Sequence, residues 1–282
     1  MGFLKHRLLS KVMRLLSMIY RFDTKRFEKE ELKYQPIFII GAPRTGSTIL
    51  YQALTNYYDV SYIDNCVDKY HFNLLYGFKK SYKKFSNEPH NVFNAEFGST
   101  SKFSEHAPSE CGGFWYRWLP KDRHFVDAHE ISQKSKKQLY AEVCAVTNCF
   151  DKPVMFKNLN AGQRLRFIKE VFPEARFIYI KRDHEKIKNS IMNARIANNV
   201  SPNEIWSVKP QRFDDLLSLS ESEMVSQQII RLESQIEQDS KLFDQFYTVH
   251  FNDFSEEFVL KLGHELQLAT RNNSSLPAFN KD

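Results

Sequence analysis

Cysteine is scarce in this 282-residue chain: only Cys66, Cys111, Cys144 and Cys149 occur, at irregular spacings and without a Cys-x-x-Cys or Cys-x-x-His pair. That excludes a disulfide-stapled scaffold and gives no sign of a zinc module. Long apolar runs are missing too. Stretches such as 37–40 and 177–180 are typical of the longest, against the roughly 20 residues a membrane-spanning helix needs. No acid occurs among the first 22 residues. What is present is a hydrophobic content of 42% with 14% aromatics, enough to bury a sizeable core in one large domain and to exclude disorder as the main state. Lysine plus arginine (40) exceed aspartate plus glutamate (34), for a net charge of +6 and a pI near 9.0. This balance favours an anionic ligand or an anionic surface without singling out nucleic acid, and no nucleic-acid partner is expected. Reduced cysteines point to the cytoplasm.

Residues 1–22 carry Lys5, Arg7, Lys11, Arg14 and Arg21, with Leu4, Leu8, Val12, Leu15 and Ile19 recurring at helical spacing. The pattern predicts a basic amphipathic helix within an N-terminal segment 1–33. Such a helix suits either packing on its own domain or peripheral contact with the anionic inner face of a membrane. Basic residues break each apolar run, which argues against a cleavable signal.

Residues 36–271 read as one domain, followed by a loose tail over 272–282. A short buried strand over 37–40 leads directly into Gly41-Ala42-Pro43-Arg44-Thr45-Gly46-Ser47-Thr48 and then into a helical run. Further strands are expected over 154–156, 177–180 and 246–251. The second and third are each followed by a helix, with inward positions Leu165, Ile168 and Val171, then Ile187, Ile191 and Ala194. Strands alternating with helices imply an α/β fold, a three-layer P-loop-type domain with a central parallel sheet flanked by helices. Residues 60–150 show little sustained periodicity and are expected to form the ligand-facing part.

The glycine loop has the outline of a phosphate cradle, in which backbone N–H groups surround an anion at the positive end of the next helix. It lacks the lysine that follows the second glycine in nucleotide-triphosphate loops; Ser47 stands there and the cation is Arg44. A second anion site is offered by Arg182, at the end of the third strand, and Ser190, about two helical turns further on. Arginine contributes a planar fork suited to phosphate and serine a hydroxyl. Each site alone could be an ordinary turn with a surface arginine; two on neighbouring strand-to-helix turns are harder to dismiss.

Residues 38–50 (FIIGAPRTGSTIL), 172–190 (FPEARFIYIKRDHEKIKNS) and 247–254 (YTVHFNDF) together resemble the sulfotransferase family, especially its bacterial carbohydrate-directed branch and, more distantly, the tyrosylprotein sulfotransferases. The resemblance implies 3′-phosphoadenosine 5′-phosphosulfate as co-substrate, with no metal. Arg44, Thr45, Gly46, Ser47 and Thr48 would hold the 5′-phosphosulfate, and Arg182 and Ser190 the 3′-phosphate. Lys157 falls where relatives carry a lysine near the sulfuryl group, although the proline usual in that turn is absent from Phe156-Lys157-Asn158-Leu159. Arg195 either approaches the nucleotide or is an exposed helix residue.

In-line displacement by an acceptor hydroxyl calls for a general base. Residues 104–115, with His106, Pro108, Glu110 and the aromatics Phe114 and Trp115, resemble a segment of bacterial sulfotransferases, and either His106 or Glu110 is the candidate base. Asp64, beside the position where tyrosylprotein relatives carry a glutamate, is a third. Phe103, Phe114, Trp115, Tyr116 and Trp118 suit either a platform for sugar rings or the core. The expected acceptor is a saccharide or glycolipid. The rival readings are an atypical P-loop kinase or NTPase and a non-catalytic anion-binding module that recruits a partner to membranes.

Overall fold

The computed structural model describes residues 23–279; the helix expected over 1–22 and its membrane contact lie outside the described residues. The described strands are β1 (Ile37–Gly41), β2 (Ser61–Tyr62), β3 (Val154–Lys157), β4 (Arg176–Lys181) and β5 (Phe246–His250), paired in parallel in the order β2-β3-β1-β4-β5. The described α-helices are α1 (Ser47–Tyr57), α2 (Asn65–Asp68), α3 (Leu74–Phe85), α4 (Gly112–Trp115), α5 (Gln133–Phe150), α6 (Leu165–Val171), α7 (His184–Ala197), α8 (Glu221–Ser240) and α9 (Glu256–Glu265).

Strand β1 is buried on both faces, as its unbroken apolar run demands. On one face Phe38 lies between Phe156 and Phe177, each ring centroid 5.3 Å away, in a core that α5 and α6 close with Leu139, Val143, Leu165 and Ile168. On the other face Ile37 and Ile39 meet Leu50 and Leu54 of α1 and Leu262 of α9. Helices on both faces of a parallel sheet give the three-layer architecture expected from the alternating pattern.

The chain runs from β1 through α1 to β2 at the sheet edge, returns to β3 beside β1, and then crosses to β4 on the other side of β1. Connections therefore diverge on either side of β1, the place where an open α/β sheet leaves a crevice at its carboxyl edge. Register fixes what reaches that crevice: Ile39 pairs with Lys157 and Gly41 with Ile180. The glycine loop, Lys157 and Arg182 thus leave adjacent strands at one end of the sheet.

The strand β2 and the helix α5 were not expected from the sequence. Residues 272–279, which read as a loose tail, make contacts: Asn56 Nδ2 donates to the Ser275 carbonyl at 2.9 Å, and Leu276 and Phe279 pack on the α1 side of the core. Among the described residues no helix is long and apolar enough to cross a membrane.

Candidate active site

The loop between β1 and α1 turns tightly because Gly41 has no side chain; a Cβ there would stand 2.8 Å from the Ile180 carbonyl oxygen. Arg44 (φ 68) and Gly46 (φ 87) both adopt left-handed conformations, which for arginine is a strained state typical of sites that shape ligands. The buried Thr45 hydroxyl donates to the Ala42 carbonyl at 2.9 Å and closes the turn, so this residue can serve an anion through its backbone. Gly46 caps α1 without a side-chain hydrogen bond. The first-turn N–H groups of α1, those of Ser47 and Thr48 among them, have no intrahelical acceptor and make the positive pole of the helix an anion site.

Arg44 and Arg182 line the same cleft, a cavity of about 540 Å³ that also includes Gly46, Ser47, Thr48 and Lys157. Arg44 Nε donates to the Ser190 hydroxyl at 2.9 Å, and Arg182 Nη1 donates to the Arg44 carbonyl at 3.1 Å. Ser190 therefore sits beside the loop arginine. The Arg182 guanidinium lies 4.2 Å from the Phe251 ring centroid, a cation–π contact that holds it over the loop. Burial, and then the charge of Arg182, lower the pKa of Arg44 from its ordinary value; burial lowers that of Arg182 against the pull of Asp183. Neither arginine has a carboxylate ion pair among the described residues, and Arg182 Nε is buried without a hydrogen-bond partner. Two neighbouring cations with spare donors gain most from a bound anion.

Lys157, 3% exposed at the end of β3, forms an ion pair with Glu110, whose side chain is 40% exposed and also lines the cleft. A strap over residues 90–98 contributes Phe93, Ala95, Phe97 and Gly98 to the lining of the cleft. The strap is fastened to α1 by Gln52 Nε2 donating to the Asn94 carbonyl (3.0 Å) and by the reciprocal pair Asn56–Asn91. It brings Phe97 over Arg44, with the guanidinium 5.9 Å from the ring centroid, and Gly98 against Thr48 and Lys157. Tyr116, His124 and Trp206 complete the wall. The Tyr116 hydroxyl accepts from Asn160 Nδ2 at 3.1 Å. Tyr116 belongs to the aromatic group noted in the sequence, whereas no local pattern marks His124 or Trp206, which distant segments deliver.

His106 and Asp64 are not in this cleft. They line a separate, small cavity of about 40 Å³ with Arg271 and Lys152. The His106 ring stacks on Phe85 at 4.2 Å, and burial pulls its pKa down to about 4. Asp64 caps α2, accepting from the Val67 N–H at 2.7 Å and the Ser81 hydroxyl at 2.5 Å; burial raises its pKa to about 6. Both side chains are engaged in packing and capping away from Lys157, which leaves Glu110 as the only one of the three candidate bases in the cleft. Phe114 and Trp115 are core residues, 0% and 3% exposed, so neither offers a face to a sugar. Arg195 is not exposed and does not line the cleft: it is 2% exposed and donates to the carbonyls of Ser201 and Pro202 and to Glu221. Among the described residues no cluster of three His, Cys, Asp or Glu side chains is placed to hold a metal ion.

Omega-hydroxy-beta-dihydromenaquinone-9 sulfotransferase Stf3 of Mycobacterium bovis and of Mycobacterium tuberculosis is 27% identical over 175 residues, 52% of this chain and 42% of the relatives' length. The chain therefore matches less than half of those proteins. The crystal structure of sulfotransferase STF1 from Mycobacterium tuberculosis superposes with a TM-score of 0.56 at 17% identity, over 93% of this chain and 74% of that one. Sulfotransferase STF9 from Mycobacterium avium gives 0.51 at 14%, over 93% and 69%. Likenesses at these identities establish the fold. The sequence pattern described as the sulfotransferase family spans residues 36–262, and the chain belongs to that family.

Proposed function

We propose that the protein transfers a sulfuryl group from 3′-phosphoadenosine 5′-phosphosulfate to a hydroxyl of a saccharide or glycolipid by in-line displacement. The observation that carries this reading is the placement of Arg44 and Arg182 in one cleft at the head of α1, linked through the Arg44 carbonyl. A nucleotide with a phosphosulfate at one end and a phosphate at the other supplies an anion for each cation. The loop amides and Arg44 fit the 5′-phosphosulfate. Arg182, with its unpartnered Nε, fits the 3′-phosphate; Ser190, whose hydroxyl accepts from Arg44 Nε, is assigned to the same phosphate from the sequence resemblance.

In the reaction the acceptor oxygen attacks sulfur, the bond from sulfur to the bridging oxygen breaks, and the electron pair stays on the departing 5′-phosphate. Arg44 and the loop amides stabilise the charge that builds on the bridging oxygen, the kind of preorganised stabilisation that supplies most of the acceleration in group transfer. Glu110 takes the acceptor proton, and Lys157 holds the Glu110 carboxylate and faces the transferred group. The named activity of the curated relatives, on a hydroxylated menaquinone, supports a hydroxyl acceptor in general. The free thiols of the four cysteines support a reducing, cytoplasmic location.

Calorimetric titration with 3′-phosphoadenosine 5′-phosphate in the presence of a chelator, set against ATP with magnesium, tests the reading. Tight metal-independent binding of the bisphosphate is expected. Preference for ATP with magnesium would favour a kinase or NTPase instead.

A further inference from the structure

A second chamber of about 330 Å³ adjoins the cleft, and the two share Phe97, Gly98 and Glu110 as walls. Their linings carry opposite charge. The cleft presents Arg44, Lys157 and Arg182, whereas the chamber presents Asp68 and Glu110 and has no lysine, arginine or histidine in its lining. Its size falls in the range of pockets that hold small ligands.

Asp68, at the end of α2, is held in place on two sides. Its Oδ2 accepts from the Ser109 hydroxyl at 2.8 Å and its Oδ1 from the Cys111 thiol at 3.2 Å. The helix beneath it is fixed by Asn65 Nδ2, which donates to the Ser104 and Thr100 carbonyls at 2.7 and 3.1 Å. The Asp68 side chain nevertheless stays 37% exposed, with carboxylate lone pairs to spare. Across the chamber the Ser99 and Ser101 hydroxyls lie 3.0 Å apart. Carboxylates only accept hydrogen bonds, so this lining rewards a ligand that donates several. A carboxylate or phosphate on the ligand would face the Asp68 carboxylate, which no lysine or arginine pairs among the described residues, while Glu110 is already taken up by Lys157. Cations close to the lining are engaged elsewhere: Lys157 pairs with Glu110, and Arg117, whose charge reaches Cys111, pairs with Glu142.

We propose that this chamber receives the hydroxyl-rich head group of the acceptor, and that its acidic lining selects an uncharged or amine-bearing sugar over an acidic one. The proposal rests on the sulfuryl-transfer reading. A sugar seated between Asp68 and Ser99 presents a hydroxyl at Glu110, where the chamber meets the cleft that would hold the donor. The attacking oxygen loses its proton to Glu110 as its bond to sulfur forms.

Saturation-transfer NMR on protein saturated with 3′-phosphoadenosine 5′-phosphate tests the assignment with methyl glucoside, glucosamine and glucuronate as probes. The first two are expected to receive saturation and glucuronate is not. Ser99→Tyr, at an exposed position, fills the chamber and should abolish both signals while bisphosphate affinity is unchanged. Asp68→Asn should admit glucuronate. Binding of none of the probes, a preference for glucuronate, or signals unaffected by Ser99→Tyr would overturn the acceptor assignment while the donor titration stays intact. Failure of the bisphosphate itself to bind would instead remove the sulfuryl-transfer reading, and this proposal with it.

Discussion

Arg182 reaches back from the end of β4 to donate a hydrogen bond to the backbone carbonyl of Arg44, 3.1 Å away. The side chain assigned to one end of the nucleotide therefore also shapes the loop assigned to the other. Arg182→Ala is expected to weaken binding of 3′-phosphoadenosine 5′-phosphate by about 10- to 100-fold, the worth of a hydrogen-bonded charge on phosphate. Adenosine 5′-phosphosulfate, without a 3′-phosphate, should lose only the part that reflects a loosened loop. Calorimetry on both ligands checks this, and equal losses would contradict the assigned division of labour.

Gly46 has φ 87, and a Cβ there would penetrate the Phe251 ring. Gly46→Ala should cost on the order of 1–3 kcal/mol in stability from backbone strain and overpacking. Because Phe251 also supports Arg182, displacement of its ring should weaken donor binding as well. Denaturant melts and a bisphosphate titration of the same variant measure the two effects.

Glu110 and His106 separate cleanly as candidate bases. Glu110→Gln should lower sulfuryl transfer by roughly 10²- to 10⁴-fold, the usual contribution of a general base, with bisphosphate affinity retained. His106→Phe, which replaces one ring by another against Phe85 and Tyr62, should leave transfer intact. Single-turnover transfer of labelled sulfate distinguishes them; the reverse pattern would move the base out of the cleft.

Three buried histidines make the fold sensitive to mild acid. Burial lowers the pKa of His90 to about 3 and those of His106 and His124 to about 4, from an ordinary 6.5. They stay neutral in the folded protein while the unfolded chain takes up protons below pH 6.5. Their contribution is therefore full above that pH and is lost as the pH falls towards 4. Asp64 acts oppositely: its pKa is raised to about 6 from 3.8, so the fold gains from it as the pH falls between those values. With three groups against one, thermal stability should drop from pH 7 to pH 5, by roughly 1–2 kcal/mol per buried histidine before the Asp64 offset. His106→Phe should shrink the drop.

The parts of this molecule written in contiguous residues were legible from the sequence. Residues 37–40 are apolar throughout because β1 is covered on both faces, and the glycine loop follows them without interruption. The third strand and Arg182 are legible for the same reason. Strand β2 was not, since Ser61–Tyr62 is too short to show a period. Helix α5 was hidden because Lys136 and Glu142 are buried on its inner side, where Glu142 accepts from Arg117 and from the Leu74 N–H; its apolar stripe is interrupted by charge. His106 and Glu110 read alike in the sequence, four residues apart in one loop. The bridge between Asp64 and Pro108 pins the chain between them, with His106 among the rings of Tyr62 and Phe85 and Glu110 at Lys157. The strap over 90–98 owes its position to Gln52 and Asn56 of α1, contacts that no local pattern announces.

A crystal structure of the complex with 3′-phosphoadenosine 5′-phosphate tests the central claim most directly. The 5′-phosphate should lie on the amides of Thr45–Thr48 beside Arg44, the 3′-phosphate on Arg182 and Ser190, and the Glu110 carboxylate should face the 5′ end. A bisphosphate bound outside the cleft, or with both arginines on a single phosphate and the other left in solvent, would contradict the account.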